Sequence, residues 1–329
     1  MRSTPQVTTL AEEILSRSDR ALAKGLSCIE RGGAFAEALL ERVYPQTGRA
    51  HVVGLTGSPG SGKSTLTWGL ARAARTRGMS VGVIAVDPSS PYSGGSILGD
   101  RIRMNDVAFE MGVFIRSLAT HGALGGLSRA AADSINLMDA SGRELILVET
   151  VGVGQDEVDV METVHTVAVV SVPGLGDDVQ TLKAGILEIA DIHVVNKADR
   201  EGANRLQAEL RNMLSLNGKT RTVWQIPVIP CVATREEGIG TLLDAIIDHL
   251  KILRSTGELE HRRQRMVKGQ VLSIARDLVS EASFEEQESE DLLERVVRRE
   301  ISPHTAGRLL LERLISQRRQ LQDVSARRD

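Results

Sequence analysis

Residues 57–65 read GSPGSGKST and fit G-x-x-x-x-G-K-[ST], with Gly57, Gly62, Lys63 and Ser64 at the fixed places. Glycine carries no Cβ, so a loop of this kind can curl until several backbone N–H groups aim at one phosphate. Ser58, Pro59, Gly60, Ser61 and Thr65 complete the loop. Lys63 would reach the β- and γ-phosphates, and the Ser64 hydroxyl would ligate Mg²⁺. A helix opening at the end of the loop points its positive end at the same anion. The motif has force only between a strand and a helix. Both are expected here, because 51–56 (HVVGLT) is apolar and β-branched and 66–77 has helical character.

The alternation continues downstream. Strands are expected at 51–56, 81–86, 113–117, 144–149, 166–172, 191–196 and 227–231, with helices between most of them. That order predicts an α/β fold, a P-loop NTPase with a mostly parallel central sheet flanked by helices. Ahead of it, apolar residues at helical spacing predict a helical extension over 1–48 that packs on the main domain at 49–256. After Gly238, Ile239, Leu242, Leu243, Ile246 and Leu250 predict the amphipathic helix that closes this domain. Residues 257–329 are rich in Arg and Glu with scattered Leu and Val. They predict a helical arm whose apolar stripe folds back or pairs with a second copy, and Ser302-Pro303 suits a helix start.

Composition narrows the partners. Hydrophobic residues make up 41%, enough for a sizeable core, but aromatics only 2%, so that core is aliphatic and little is left for base stacking. A net charge of −3 and a pI of 6.2 argue against nucleic acid. No stretch approaches a membrane span or a signal peptide, so a cytoplasmic protein is expected. Cys28 and Cys231 form no C-x-x-C, and each reads as a small buried hydrophobe.

Four further signals fall at strand ends, where ligands sit in such sheets. Asn196-Lys197-Ala198-Asp199 is N-K-x-D after the strand IHVV. The Asp199 carboxylate can accept both N1–H and N2–H of guanine, a donor pair adenine lacks, while Asn196 and Lys197 brace the loop; an unpaired buried group rejects the wrong base. Glu149-Thr150-Val151-Gly152 ends the strand ELILV. Glu149 suits Mg²⁺ through water, and a Gly152 N–H could sense the γ-phosphate, which GDP does not offer. Asp87, before Pro88, could contact Mg²⁺ through water or orient the attacking water, and Asp100 is a second candidate metal contact; a plain loop acid is the alternative there. Cys231, Val232 and Ala233 are placed for a backbone contact to guanine O6. Residues 174–185 (GLGDDVQTLKAG) read equally as a functional or an ordinary solvated loop.

Taken in this order, the motifs resemble the P-loop GTPases of the MeaB/ArgK type, over about residues 7–329. The P-loop and N-K-x-D are common to many GTPases; VDPSSPYSGGSILGDRIRM and ETVGVGQ carry the more specific likeness. The resemblance implies a homodimeric GTPase chaperone of adenosylcobalamin-dependent methylmalonyl-CoA mutase, with Mg²⁺ and GTP or GDP and no tightly bound organic cofactor. It implies that Asp87, Asp100 and Glu149 line the metal and switch region. It also implies that 177–188 forms a third switch, in which Asp177, Gln180, Lys183 and Glu188 couple to the mutase. The arm would hold the dimer. Ras-like GTPases keep a water-positioning glutamine directly after the switch glycine; here that place is Val153 and Gln155 follows, so slow intrinsic hydrolysis is expected. A metal-insertion GTPase is one alternative, but seven histidines without a His or Cys cluster offer no soft ligand set. A P-loop kinase is another, and no acceptor base is evident for it.

Overall fold

The computed structural model describes residues 5–87, 112–119, 126–150, 161–174, 189–216, 223–284 and 287–312. Three helices come first: α1 (Pro5–Leu15), α2 (Asp19–Arg31) and α3 (Ala34–Val43). Ser18 caps α2 by accepting from the Ala21 N–H at 3.3 Å, and Gly32 (φ +68°) stops it. The core of the fold follows: β1 (His51–Gly57), α4 (Lys63–Thr76), β2 (Val81–Asp87), β3 (Val113–Ala119), α5 (Gly126–Ala140), β4 (Leu145–Thr150), β5 (Thr166–Ser171), β6 (Ile192–Val195), α6 (Ala203–Leu216), β7 (Val228–Pro230) and α7 (Ile239–Thr256). The seven strands form one sheet in the order β3-β2-β4-β1-β5-β6-β7, and every pairing is parallel. Each predicted strand is present. The chain divides into two compact units, Met1–Met266 and Val267–Asp329.

The sheet is covered on both faces, so its strands are continuous apolar runs rather than alternating ones. Val52, Ile84, Val86, Ile146, Val148, Val167 and Val169 face one cluster, shared with α1–α3 and α5. Val53, Leu55, Val83, Leu147, Ala168, Val170 and Val194 face the other, shared with α4 and α7. The period of two along each strand does this sorting. The helical preface is tied to the sheet by polar contacts as well. Asp139 of α5 accepts from the N–H groups of Gly48 (2.6 Å), Arg49 (3.2 Å) and Ala50 (3.1 Å), which sets the entry into β1. Arg116 of β3 pairs with Glu30 of α2 at 2.7 and 2.5 Å.

At the amino ends of the strands a buried polar cluster fixes β5 and β6. Arg262 forks onto Asp191 with two bonds of 2.8 Å, and Asp191 also accepts from the Val167 N–H at 2.9 Å. Burial opposes the Arg262 charge, but the Asp191 hydrogen bonds and charge outweigh it and raise its pKa.

Helix α8 (Glu258–Phe284) and α9 (Gln287–Val297) follow, and 303–312 are helical. Ser302 accepts from the Thr305 N–H at 3.2 Å, the expected cap. In the second unit Val271, Leu272, Leu293 and Val297 are exposed. Among the described residues, no helix is long and apolar enough to cross a membrane.

Candidate functional site

The central strand β1 runs straight into the glycine loop, and because every strand is parallel, β2, β4, β6 and β7 bring the other motifs to the same carboxyl edge. At Gly57 the backbone has φ +139°, and a Cβ there would lie 2.1 Å from the Val170 carbonyl oxygen of β5. Only glycine permits the strand to leave the sheet at that point. Gly62 is the N-cap of α4 in the left-handed region (φ +88°, ψ +27°) and supplies no side-chain cap. The first-turn N–H groups of a 14-residue helix are thereby left to an anion.

Lys63 is buried at 5% exposure, and its Nζ donates to the carbonyls of Gly57 (2.7 Å) and Ser58 (3.0 Å). The ammonium is thus folded across the mouth of the loop by the loop's own backbone. The Ser64 hydroxyl donates to Oε1 of Glu149, from the end of β4. These are two hard oxygen ligands side by side, the donor type that suits Mg²⁺. Around them Thr56, Ser61, Thr150 and Ser171 have buried hydroxyl oxygens with no partner among the described residues. All four stand in the loop or at the carboxyl ends of β1, β4 and β5. Buried polar atoms are normally satisfied, so their gathering here marks a place made for a polar ligand.

The N-K-x-D loop is joined directly to the phosphate loop. Asn196 is 2% exposed; its Nδ2 donates to the Ser61 carbonyl at 2.8 Å and its Oδ1 accepts from the Ala233 N–H at 3.1 Å. Lys197, at φ +55°, turns so that Nζ donates to the Gly60 carbonyl at 2.7 Å. Asp199 is the exposed member, and Arg235 lies 3.3 Å from its Oδ2. Phosphate loop, base loop and the segment after β7 are therefore one hydrogen-bonded unit.

The three backbone N–H groups of that segment have partners of their own. The Cys231 N–H donates to the Val195 carbonyl (2.8 Å), the Val232 N–H to the Glu237 carbonyl (3.0 Å) and the Ala233 N–H to Asn196. The first bond continues the pairing with β6, the second closes the loop, and the third ties it to the N-K-x-D segment. Burial pushes the Cys231 thiol up to about 12, which keeps it a neutral packing group. Asp87 ends β2, in register with Ala119 of β3. Asp100, Gly152, Asp177, Gln180, Lys183 and Glu188 lie outside the described residues. Arg235 has no signal in the sequence: a lone arginine in a loop carries no motif, and its place beside Asp199 exists only in three dimensions.

Comparisons with known proteins agree on the kind of molecule. The family model described as methylmalonyl-CoA mutase-associated GTPase MeaB matches residues 22–288. A protein of Pyrococcus horikoshii is 46% identical over 314 residues, covering 94% of this chain and 98% of its own. The GTPase ArgK of Escherichia coli is 40% identical over 268 residues, covering 78% and 81%. Among solved structures, one described as a LAO/AO transport system kinase superposes with a TM-score of 0.72 at 26% identity, covering 95% of this chain and 99% of that one.

Proposed function

The chain belongs to the MeaB family of P-loop GTPases, and from that premise we propose that it serves methylmalonyl-CoA mutase as a GTP-operated chaperone that gates adenosylcobalamin loading and protects the mutase. The observation that carries this reading is the bond from Asn196 to the Ser61 carbonyl. It joins the surface that would select the base to the surface that would hold the phosphates, so occupancy of one is felt at the other.

In the reaction water attacks the γ-phosphorus, the bond to the β–γ bridging oxygen breaks, and GDP and phosphate leave. Lys63 and the N–H groups at the start of α4 face the charge that spreads over the phosphate oxygens. Ser64 and Glu149 would hold Mg²⁺, with Asp87 and Asp100 as further candidates. When bound there, the ion would supply neutralisation of phosphate charge. Asp199 reads guanine. Without a glutamine after Gly152, the attacking water is poorly held, so the isolated protein turns over slowly and the mutase accelerates it. Asp177, Gln180, Lys183 and Glu188 are the residues through which the mutase would act. The exposed Val271, Leu272, Leu293 and Val297 support a homodimer formed through the arm, and the proposed location is cytoplasmic.

The test is phosphate release from γ-labelled GTP, with and without methylmalonyl-CoA mutase. Slow release that rises with the mutase is the expected result. Fast release indifferent to the mutase overturns the chaperone reading. Label that ends on a protein or metabolite acceptor overturns hydrolysis in favour of kinase chemistry.

A further inference from the structure

The carboxylate expected to read the base already has a partner. One guanidinium nitrogen of Arg235 lies 3.3 Å from Oδ2 of Asp199. We propose that Arg235 is a positioning residue for base recognition, holding the Asp199 carboxylate in one orientation so that the base meets a preformed acceptor pair. This rests on the assignment of Asp199 as the guanine-reading group.

The arginine stands on a fixed platform. It is the last residue of the short 3₁₀ turn Ala233–Arg235, and its own N–H donates to the Val232 carbonyl at 2.9 Å. The turn is pinned on three sides. Ala233 is held by Asn196 at 3.1 Å, Val232 and Glu237 form a bridge, and Glu236 pairs with Arg72 of α4 at 2.6 Å. The same Asn196 holds the phosphate loop, so Arg235 and Asp199 are set from one frame. Glu237 stands on the far side of the guanidinium at 4.0 Å, so Arg235 is drawn both ways.

Ligand and arginine need not compete. A carboxylate offers about four lone-pair sites, and guanine N1–H and N2–H would use two of them. Arg235 requires one more, on Oδ2. A carboxylate ordered beforehand spares the base the cost of immobilising it. Adenine makes no use of Asp199, so the benefit is confined to bases that carry a donor at N1. The pair is half in water, with side-chain exposures of 60% and 36%, so the effect is modest and screened by salt.

The experiment measures GDP and ADP dissociation constants for wild type, Arg235→Gln, Asp199→Ala and the double variant, at low and at molar salt. Arg235→Gln should weaken GDP about threefold to fivefold at low salt, leave ADP unchanged, and lose most of its deficit at high salt. On the Asp199→Ala background the same substitution should have no further effect. An Arg235→Gln protein that binds GDP like wild type overturns the proposal. So does a deficit that persists without Asp199 or at molar salt, since either means Arg235 acts on the loop or the base directly. If Asp199→Ala instead keeps the wild-type preference for GDP over ADP, the base-reading assignment itself fails, an outcome separate from any behaviour of Arg235→Gln.

Discussion

A Cβ at position 62 would lie 2.5 Å from Nδ2 of Asn196, so the glycine of the phosphate loop and the asparagine of the base loop share one small volume. Gly62 also sits at φ +88°, where an L side chain is strained. Gly62→Ala should therefore push Asn196 off the Ser61 carbonyl and weaken both GDP and GTP by about tenfold or more. Asn196→Ala should act alike, because it strands the Ser61 carbonyl and the Ala233 N–H, at about 1–3 kcal/mol for each group left unpaired. Nucleotide affinity and urea midpoint together check this: affinity should fall in both variants, stability most clearly in Asn196→Ala.

The placing of Lys63 ties the shape of the loop to the charge that faces the phosphates. Its ammonium bridges the carbonyls of Gly57 and Ser58, so its removal both loosens the loop and deletes the charge facing the phosphates. Lys63→Ala should lower phosphate release by about 100-fold or more, a loss of about 3 kcal/mol in barrier lowering. It should keep its thermal stability within a few degrees. Single-turnover release and a melting curve decide it.

Ser64 and Glu149 meet at the point where the ion would bind. Ser64→Ala should raise the Mg²⁺ concentration needed for GTP binding while leaving metal-free GDP binding near wild type. A Mg²⁺ titration of GTP affinity in the two proteins shows whether the serine hydroxyl is a ligand.

Much of this architecture is legible in the sequence. Apolar, β-branched runs locate all seven strands, and the rule that ligands gather at carboxyl ends places Gly57, Glu149, Asn196 and Cys231 on one edge. The sheet order is not legible, because pattern says which residues are strand and not which strands are neighbours. The state of the loop after β7 is hidden too. Nothing in Cys231-Val232-Ala233 shows that its three N–H groups are already spent. Arg235 escapes for a related reason, since a pairing between residues 36 apart in sequence leaves no periodic trace.

The Arg262–Asp191 fork lies at the opposite end of the strands from the nucleotide loops, and it should matter to stability alone. Asp191→Ala leaves the Arg262 guanidinium, at 24% exposure, without its two 2.8 Å bonds. Breaking a pair of this kind costs about 3 kcal/mol. Chemical denaturation should show that loss, and the GDP affinity should not move. A change in affinity as large as the change in stability would mean that the amino edge of the sheet communicates with the site.

Buried histidines should make the protein acid-sensitive. Burial, then the charges of Arg263, Arg262 and Arg254, pushes His165 down to about 3. Burial lowers His249 to about 4 against the upward pull of Asp191, and burial alone lowers His193 to about 4. Unfolded, each returns to about 6.5. Between these limits the unfolded chain binds more protons than the folded one, so stability is complete above about pH 6.5 and falls as pH drops toward 4, by up to about 1.4 kcal/mol per pH unit for each histidine. His193 allows the cleanest check. It is fully buried in β6, and neither ring nitrogen has a partner among the described residues. An apolar residue of similar size removes an unsatisfied polar group and a suppressed titration at once. His193→Leu should therefore be as stable as wild type or more so at pH 7, and its stability should fall by one proton's slope less between pH 6.5 and 4. Denaturation midpoints across that range measure the difference, and parallel curves would show that His193 carries the same charge folded and unfolded.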